Sequence, residues 1–375
     1  MRVLIGMPDR ESLGGPAACE PPFVEGLRRL GVGVGEETYV YGDRLSGTGL
    51  GRRVRRVVST ARRLRRRLKA EDFDVIHLNT SFDTKALLRD AATVPQLRAS
   101  GARIFLKFHG SDGALLETKN PLLRRTGRAL LASADGLGVL SSEERDNFVR
   151  AGADASKVFV VKNVVEREFP ERAGESLAAR MGLREDVPRL LFIARLIPAK
   201  GLLDVLRACR IVGDGGREFA LLCVGDGPAR AEAEGEAARL GLGERVRFCG
   251  LLPESETGEF YAGSTALVFP TYHYEGFPMT VFYAAAAGLP VVTTRIRAAA
   301  DYLREPDNCL WVEPRNPRML ADKIIRLLDE PHTRASMGRN NRTLARRFSA
   351  ACVAPEYAEI YNRLLSKGRS RYRQD

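Results

Sequence analysis

Short apolar runs, each followed by a stretch with helical spacing, recur along this chain in two successive series. The first series is MRVLIGMP, FDVIHLNTSF (73–82), the run 103–108, the run 135–140 and the run 158–161. The second is RLLFIARL, FALLCVGDG, RVRFCG, TALVFP and PVVTT. Such runs, without polar alternation, suit strands buried on both faces, and strands alternating with helices require crossover connections and parallel sheets. Two α/β halves follow, in keeping with a length of 375 residues that exceeds what one core usually absorbs. Helices are expected over 17–30 after the loop DRESLGGP, at SSEERDNF with Ser142 as cap, over 202–211, in an Ala/Glu/Arg stretch after GDGP, and at the end, where Tyr357, Ile360, Tyr361 and Leu364 share a face ahead of a basic tail. The stretch VVEREFPERAGESLAARMGLREDVPR is charged, lacks a strand signal and is expected to link the halves.

Composition removes several classes. Hydrophobic residues make up 44% and glycine contributes 36 positions, a globular balance. No apolar stretch is long enough to span a bilayer, and the first residues carry no proper leader pattern. Cys19, Cys209, Cys223, Cys249, Cys309 and Cys352 are scattered without a C-x-x-C pair, which argues against a zinc site or disulfide scaffold and fits a reducing cytoplasm. The net charge is +12, but only nine of the 59 basic residues are lysine, an arginine bias that makes clustering more informative than the total.

In parallel sheets, ligands gather beyond the carboxyl ends of the strands, and here those ends lead into GGP, HGSD, RLIPAKG, GDGP and YHYEGFP. Polar and glycine-rich exits in both halves suggest a cleft closing on a phosphorylated ligand. Arg195 and Lys200 stand at a strand-to-helix junction, where a guanidinium fork, an ammonium and free helix amides suit a diphosphate; two solvated cations are the plainer alternative. GDGP lacks the third glycine of a dinucleotide fingerprint, so Gly225, like Gly14 and Gly15, either approaches a ligand or turns the chain. His109 at a strand exit could bond a sugar hydroxyl or be packed there, whereas His77, inside a strand, reads as structural. Pro278 suits the first helical position, Gly288 a C-cap, and the intervening alanines a thin helix. Glu275 and Gly276 therefore precede a helix N-terminus, where a carboxylate beside an anion site suggests a second task, such as accepting bonds from sugar hydroxyls.

Taken together, GGP, HG after a strand, R-L-x-x-x-K-G, G-D-G-P, E-G-F and A-x-G-L-P-V-V resemble the retaining group 1 glycosyltransferases, numbered family four, over nearly the whole chain. The resemblance implies the GT-B architecture: two Rossmann-like domains, here an acceptor-side domain at 1–165 and a donor domain at 166–346, with 347–375 crossing back to the first. It implies that Arg195 and Lys200 hold the donor diphosphate, that amides around Gly276, Phe277, Pro278 and Met279 hold the sugar and distal phosphate, and that Glu275 and His109 contact the sugar. Gly14 and Gly15 would lie against the phosphates, Gly225 nearby, and backbone around Gly250 and Leu251 near the base. No divalent metal or other cofactor is implied, because cations and helix amides neutralise the departing diphosphate. The second glutamate of the family's Glu–seven residues–Glu motif, which would take the ribose, is here Tyr283.

One segment needs a separate reading. From 52 to 69 the chain holds Arg52, Arg53, Arg55, Arg56, Arg62, Arg63, Arg65, Arg66, Arg67 and Lys69 and no acidic residue, while Val54, Val57, Val58, Ala61, Leu64 and Leu68 form one helical stripe. The set suits a helix packed by its stripe whose basic back either is merely solvated or meets anionic lipid headgroups. No aromatic interleaves the arginines, so nucleic acid is not expected. The expected protein is a cytoplasmic enzyme, peripheral on the inner membrane face, moving a sugar from a UDP- or GDP-sugar to a polysaccharide, glycan or lipid-linked acceptor. The alternative is a nucleotide-sugar-binding homologue weakened by Tyr283.

Overall fold

The computed structural model describes residues 1–9, 14–39, 50–170 and 173–369, without the side chains at 50, 53, 54, 174 and 367–369. Two compact units emerge: Met1–Val164 with Tyr274–Phe277 and Phe348–Asp375, and Val165–His273 with Pro278–Arg347. The short segment Tyr274–Phe277 thus falls with the first unit, although the sequence reading put all of 166–346 in the second domain.

The first unit is built on a six-stranded parallel sheet: β1 (Arg2–Met7), β2 (Gly33–Thr38), β3 (Val75–Phe82), β4 (Arg103–Ser111), β5 (Gly136–Val139) and β6 (Val158–Val160), in the order β2-β1-β3-β4-β5-β6. Its central strands are covered on both faces, as their unbroken apolar runs require; Val3, Leu4, Ile5, Phe105, Leu106 and Leu137 are fully buried. β2 was not expected, because an edge strand of sequence GVGEET carries no buried run.

Helix capping explains the local boundaries. The helix Ser142–Arg150 is capped one residue earlier than expected: Ser141, not Ser142, accepts from the Glu144 amide, and Glu144 accepts in turn from the Leu140 amide. The last helix, Ala350–Arg369, lies in the first unit and buries Tyr357, Tyr361 and Leu364 there. Gly26 of the helix Gly15–Arg29 allows close approach, since a Cβ there would stand 3.0 Å from the Cβ atoms of Ala350 and Ala354.

The basic segment forms the helix Leu50–Ala70, and Ala61, Leu64 and Leu68 of its stripe are buried. Val58 departs from the expected stripe and is exposed, while Val54 and Arg53 have side chains outside the described residues. Three of the expected outward cations instead serve the unit itself: Arg56 faces Asp9 at 3.7 Å, Arg63 faces Glu37 at 3.2 Å and Arg67 faces Glu71 at 3.0 Å. Arg52, Arg55, Arg62, Arg65, Arg66 and Lys69 are exposed. The basic C-terminal tail lies largely outside the described residues.

The second unit repeats the plan with β7 (Arg189–Ile193), β8 (Ala220–Val224), β9 (Val246–Gly250), β10 (Ala266–Phe269), β11 (Val291–Thr294) and β12 (Cys309–Val312), all parallel, in the order β12-β11-β10-β7-β8-β9. The expected linker is partly helical: Ala173–Met181 packs against the helix Glu254–Gly263, burying Ala173, Leu177 and Ala178. Those three positions share one face of a helix, a period too short to notice among so many charges. Among the described residues no helix is long and apolar enough to cross a membrane.

Candidate functional site

In each sheet the chain reverses its direction of strand addition once, and the exits on either side of that point form the natural ligand crevice of such a sheet. In the second unit this point lies between β7 and β10. The β7 exit carries Arg195, exposed, and Lys200, 8% exposed beside the Phe269 ring at 5.5 Å. The β10 exit is bonded to it: the Tyr272 amide donates to the Ala199 carbonyl at 2.9 Å, and the Tyr272 hydroxyl to the Pro198 carbonyl at 2.9 Å. Gly201 is left-handed (φ 83°), and a Cβ there would fall 2.6 Å from the Pro270 carbonyl oxygen. Glycine at 201 therefore lets the lysine-bearing turn lie against the β10 exit.

The β8 exit is explained by packing. Gly225 has φ 129°, and a Cβ on it would stand 1.9 Å from the Ala194 carbonyl oxygen; at Gly227 the corresponding distance to the Leu196 oxygen is 2.4 Å. The Gly225 amide donates to the Gly250 carbonyl at 2.8 Å, which joins the β8 and β9 exits, and Leu251 beyond them is 63% exposed. GDGP is thus a close-packing turn between the strand exits, beside Arg195.

The helix Met279–Ala287 begins one residue later than expected, with Pro278 as its N-cap, a residue whose own side chain offers no capping bond. Gly288 closes it in the left-handed conformation (φ 74°), as its position suggested. The alanines lie in the unit's interior, with Ala284 and Ala285 fully buried, and the Thr280 hydroxyl donates to the Ile193 carbonyl at the β7 exit. Tyr283 is buried too. Its hydroxyl donates to Glu254 Oε1 at 3.2 Å, the Arg167 guanidinium lies 4.9 Å from its ring centre, and Tyr261 packs at 6.0 Å.

In the first unit the reversal lies between β1 and β3. Gly14 (φ 112°) caps the helix Gly15–Arg29, and among the described residues, its chain neighbours aside, no atom lies within 4 Å of where its Cβ would be. Beneath this helix start is a buried polar cluster. Lys107 Nζ meets Glu20 Oε1 at 2.6 Å, with both side chains at most 1% exposed. Asn79 donates through Nδ2 to Glu20 Oε2 at 3.0 Å and to the Gly6 carbonyl at 3.1 Å. That fixes the amide orientation, so Asn79 Oδ1, 2.8 Å from His109 Nε2, accepts the imidazole proton. Burial, reinforced by the Lys107 charge and then by His77, holds His109 well below the ordinary imidazole range. The ring is neutral, with Nε2–H facing Asn79 and Nδ1 as its acceptor. Its side chain is 3% exposed, which is the packed alternative of the two read from the sequence.

His77 is structural as expected: Nδ1 lies 2.6 Å from the Tyr361 hydroxyl, tying the last helix to β3. Cys19, Glu20 and His109 bring ligand-type atoms within 4.8 Å of one another. Lys107 already holds the Glu20 carboxylate, and burial keeps the Cys19 thiol protonated, so the set suits an ammonium better than a metal ion.

The structure brings His109 together with the segment at Glu275. A Cβ on Gly276 would stand 2.9 Å from the His109 carbonyl oxygen and 3.1 Å from Glu144 Oε2, and Phe277 packs edge-on against Phe348 at 5.5 Å. Glu144, buried, also accepts from the Ser111 hydroxyl at 2.8 Å. Arg195, Lys200, Gly225, Gly250, Pro278, Met279 and Tyr283 belong to the other unit. Sequence reasoning missed Glu20, Asn79, Lys107, Glu144 and Glu254. Lys107 alone left a sign, a charge inside the buried run FLKF.

Comparison with known proteins gives a consistent picture. Residues 175–344 match the family model described as glycosyl transferases group 1, and residues 24–169 the model described as glycosyltransferase family 4. A 2-deoxystreptamine glucosyltransferase of Streptomyces kanamyceticus is 31% identical over 67% of this chain and 66% of that protein, so the chain spans just under two thirds of that relative. A D-inositol 3-phosphate glycosyltransferase of Corynebacterium glutamicum (strain R) is 27% identical over 77% of this chain and 72% of its own. Among solved structures, Anabaena HepE in complex with UDP and glucose aligns with TM-score 0.76 at 19% identity, covering 96% of this chain and 99% of that one. Sucrose-phosphate synthase from Thermosynechococcus elongatus aligns with TM-score 0.79 at 20% identity, covering 98% and 99%. At these identities the structural likeness carries the fold.

Proposed function

This chain belongs to the group 1 glycosyltransferases and has their GT-B fold, and on that premise we propose that it transfers a hexose from a UDP- or GDP-sugar with retention at the anomeric carbon. The observation that carries this reading is the β7–β10 exit pair of the second unit: Arg195, Lys200 and the N-terminus of Met279–Ala287 at one reversal point. Transfer frees a nucleoside diphosphate, and the barrier falls when its growing charge meets fixed cations and helix amides. Arg195 would grip diphosphate oxygens, Lys200 would supply a point charge, and the amides of Gly276 to Met279 would face the distal phosphate and sugar, without a divalent metal. Glu275 would accept bonds from sugar hydroxyls, and His109, whose backbone carbonyl lies against Gly276 in the same unit, would contact the sugar. Gly250 and Leu251 would lie by the base.

For the acceptor we propose a glycan, polysaccharide or lipid-linked hydroxyl, with cyclitols, the acceptor class after which the two similar proteins above are named, as the small-molecule set to try beside them. The exposed arginines of the helix Leu50–Ala70 favour an enzyme that works in the cytoplasm against an anionic membrane face. Incubation with UDP- and GDP-hexoses and each acceptor class should release nucleoside diphosphate, and the coupling constant of the new linkage should match the donor anomer. Failure across the panel refutes the reading. A second reading rests on Tyr283: binding of nucleotide sugar with little turnover, seen as thermal shifts without product.

A further inference from the structure

We propose that Glu254 is the residue that takes the ribose hydroxyls of the nucleotide donor, and that Tyr283 and Arg167 hold it in place. The inference deepens the reading above and rests on it. Glu254 opens the helix Glu254–Gly263, four residues beyond the end of β9, and its side chain is half exposed. Two groups fix it from behind. The Tyr283 hydroxyl donates to Oε1 at 3.2 Å, and Arg167 donates to the Glu254 backbone carbonyl with its other nitrogen 3.8 Å from Oε1. Arg167 is itself clamped over the Tyr283 ring at 4.9 Å and near the Tyr261 ring at 5.8 Å, with only 10% of its side chain exposed. Among the described residues nothing bonds Oε2.

The chemistry of that arrangement is specific. A carboxylate anchored through one oxygen, with a cation behind it, keeps acceptor lone pairs for an incoming pair of O–H donors. Vicinal ribose hydroxyls are such a pair, and nucleotide-binding parallel sheets take them with a carboxylate set at a strand exit. A tyrosine hydroxyl can accept one such bond at most, and here its proton is already committed to Glu254. The β8 and β9 exits, joined by the Gly225–Gly250 bond, lead from the Arg195 turn toward Glu254. A nucleoside diphosphate with its phosphates at Arg195 and Lys200 has its ribose on that route. Tyr283 is then a positioning residue, not a lost acceptor.

The test is calorimetric binding of UDP, 2′-deoxy-UDP, GDP and 2′-deoxy-GDP to the full chain and to Glu254→Ala, Glu254→Gln, Tyr283→Phe and Tyr283→Glu. The unaltered protein should prefer the ribonucleotide by about 10- to 100-fold, the size of hydrogen bonds to a charged group. Glu254→Ala should weaken the ribonucleotide by that factor and erase the preference, while inorganic pyrophosphate competes equally well against both proteins. Tyr283→Phe should reduce the preference in part. Tyr283→Glu should not improve binding, because it sets a second carboxylate beside Glu254. A ribose preference that survives Glu254→Ala, or a gain with Tyr283→Glu, overturns the inference alone. Failure of UDP and GDP to bind the unaltered protein overturns the donor reading and the inference with it.

Discussion

Replacing Lys107 by methionine should damage the first unit far more than the loss of one surface ion pair would. Its ammonium meets Glu20 Oε1 at 2.6 Å with both side chains out of water. At an effective dielectric of 20, that separation gives an attraction of about 6 kcal/mol. Desolvating both ions cancels most of it, so the pair adds little net stability. Removing one partner is different, because Glu20 then keeps a buried charge with Asn79 as its remaining strong donor. That situation costs about 3–5 kcal/mol, or a fall in Tm of about 6–20 °C for a unit of this size. Urea unfolding of Lys107→Met, Glu20→Leu and the double variant forms a double-mutant cycle. The double variant should recover much of the loss, with a coupling energy of about 2 kcal/mol or more. A single-variant cost under about 1 kcal/mol, or strictly additive losses, would refute a buried, mutually dependent pair.

Three further outcomes are expected. Burial, together with the Lys107 charge, holds His77 and His109 below the ordinary imidazole value; the unfolded chain therefore binds protons that the folded one refuses, and stability should fall as pH drops through about 6.5, by at most about 2.7 kcal/mol per pH unit for the two. Urea midpoints at pH 7.5, 6.5 and 5.5 check this, and a flat profile contradicts it. Gly225→Ala should cost about 2 kcal/mol or more, since its Cβ would stand 1.9 Å from the Ala194 oxygen at φ 129°, while Gly14→Ala, whose Cβ meets none of the described residues beyond its chain neighbours, should cost the backbone strain of about 1–2 kcal/mol. Co-sedimentation with vesicles rich in anionic lipid should be lost with added salt and weakened by Arg62, Arg65 and Arg66 to glutamine, whereas equal binding to neutral vesicles would remove the electrostatic surface.

The legible parts of this fold were those in which one residue type has one reason. Leu221, Leu222 and Cys223 form an unbroken apolar run because β8 is covered on both faces, and Gly288 stands where a helix must end left-handed. β2 escaped notice because an edge strand needs no such run. The pairings were hidden for another reason. Lys107 and Glu20 come from β4 and from the helix Gly15–Arg29, and nothing in either neighbourhood names the other. Glu254 follows a proline at an ordinary helix start, and its meeting with Tyr283 depends on the path of the helix Glu254–Gly263 beneath the sheet exits. Tyr283, read in one dimension, was a missing glutamate; with Glu254 against its hydroxyl it has a partner carboxylate.

The central claim is that the β7–β10 exits of the second unit hold the diphosphate of a nucleotide sugar. Titration calorimetry of UDP and GDP against the intact protein and against Lys200→Ala and Arg195→Ala tests it most directly. At least one of the two nucleotides should bind one to one, and each substitution should weaken it about 10-fold or more, as expected for a lost charge-assisted bond. Binding of neither nucleotide, or affinity unchanged by both substitutions, would contradict the account.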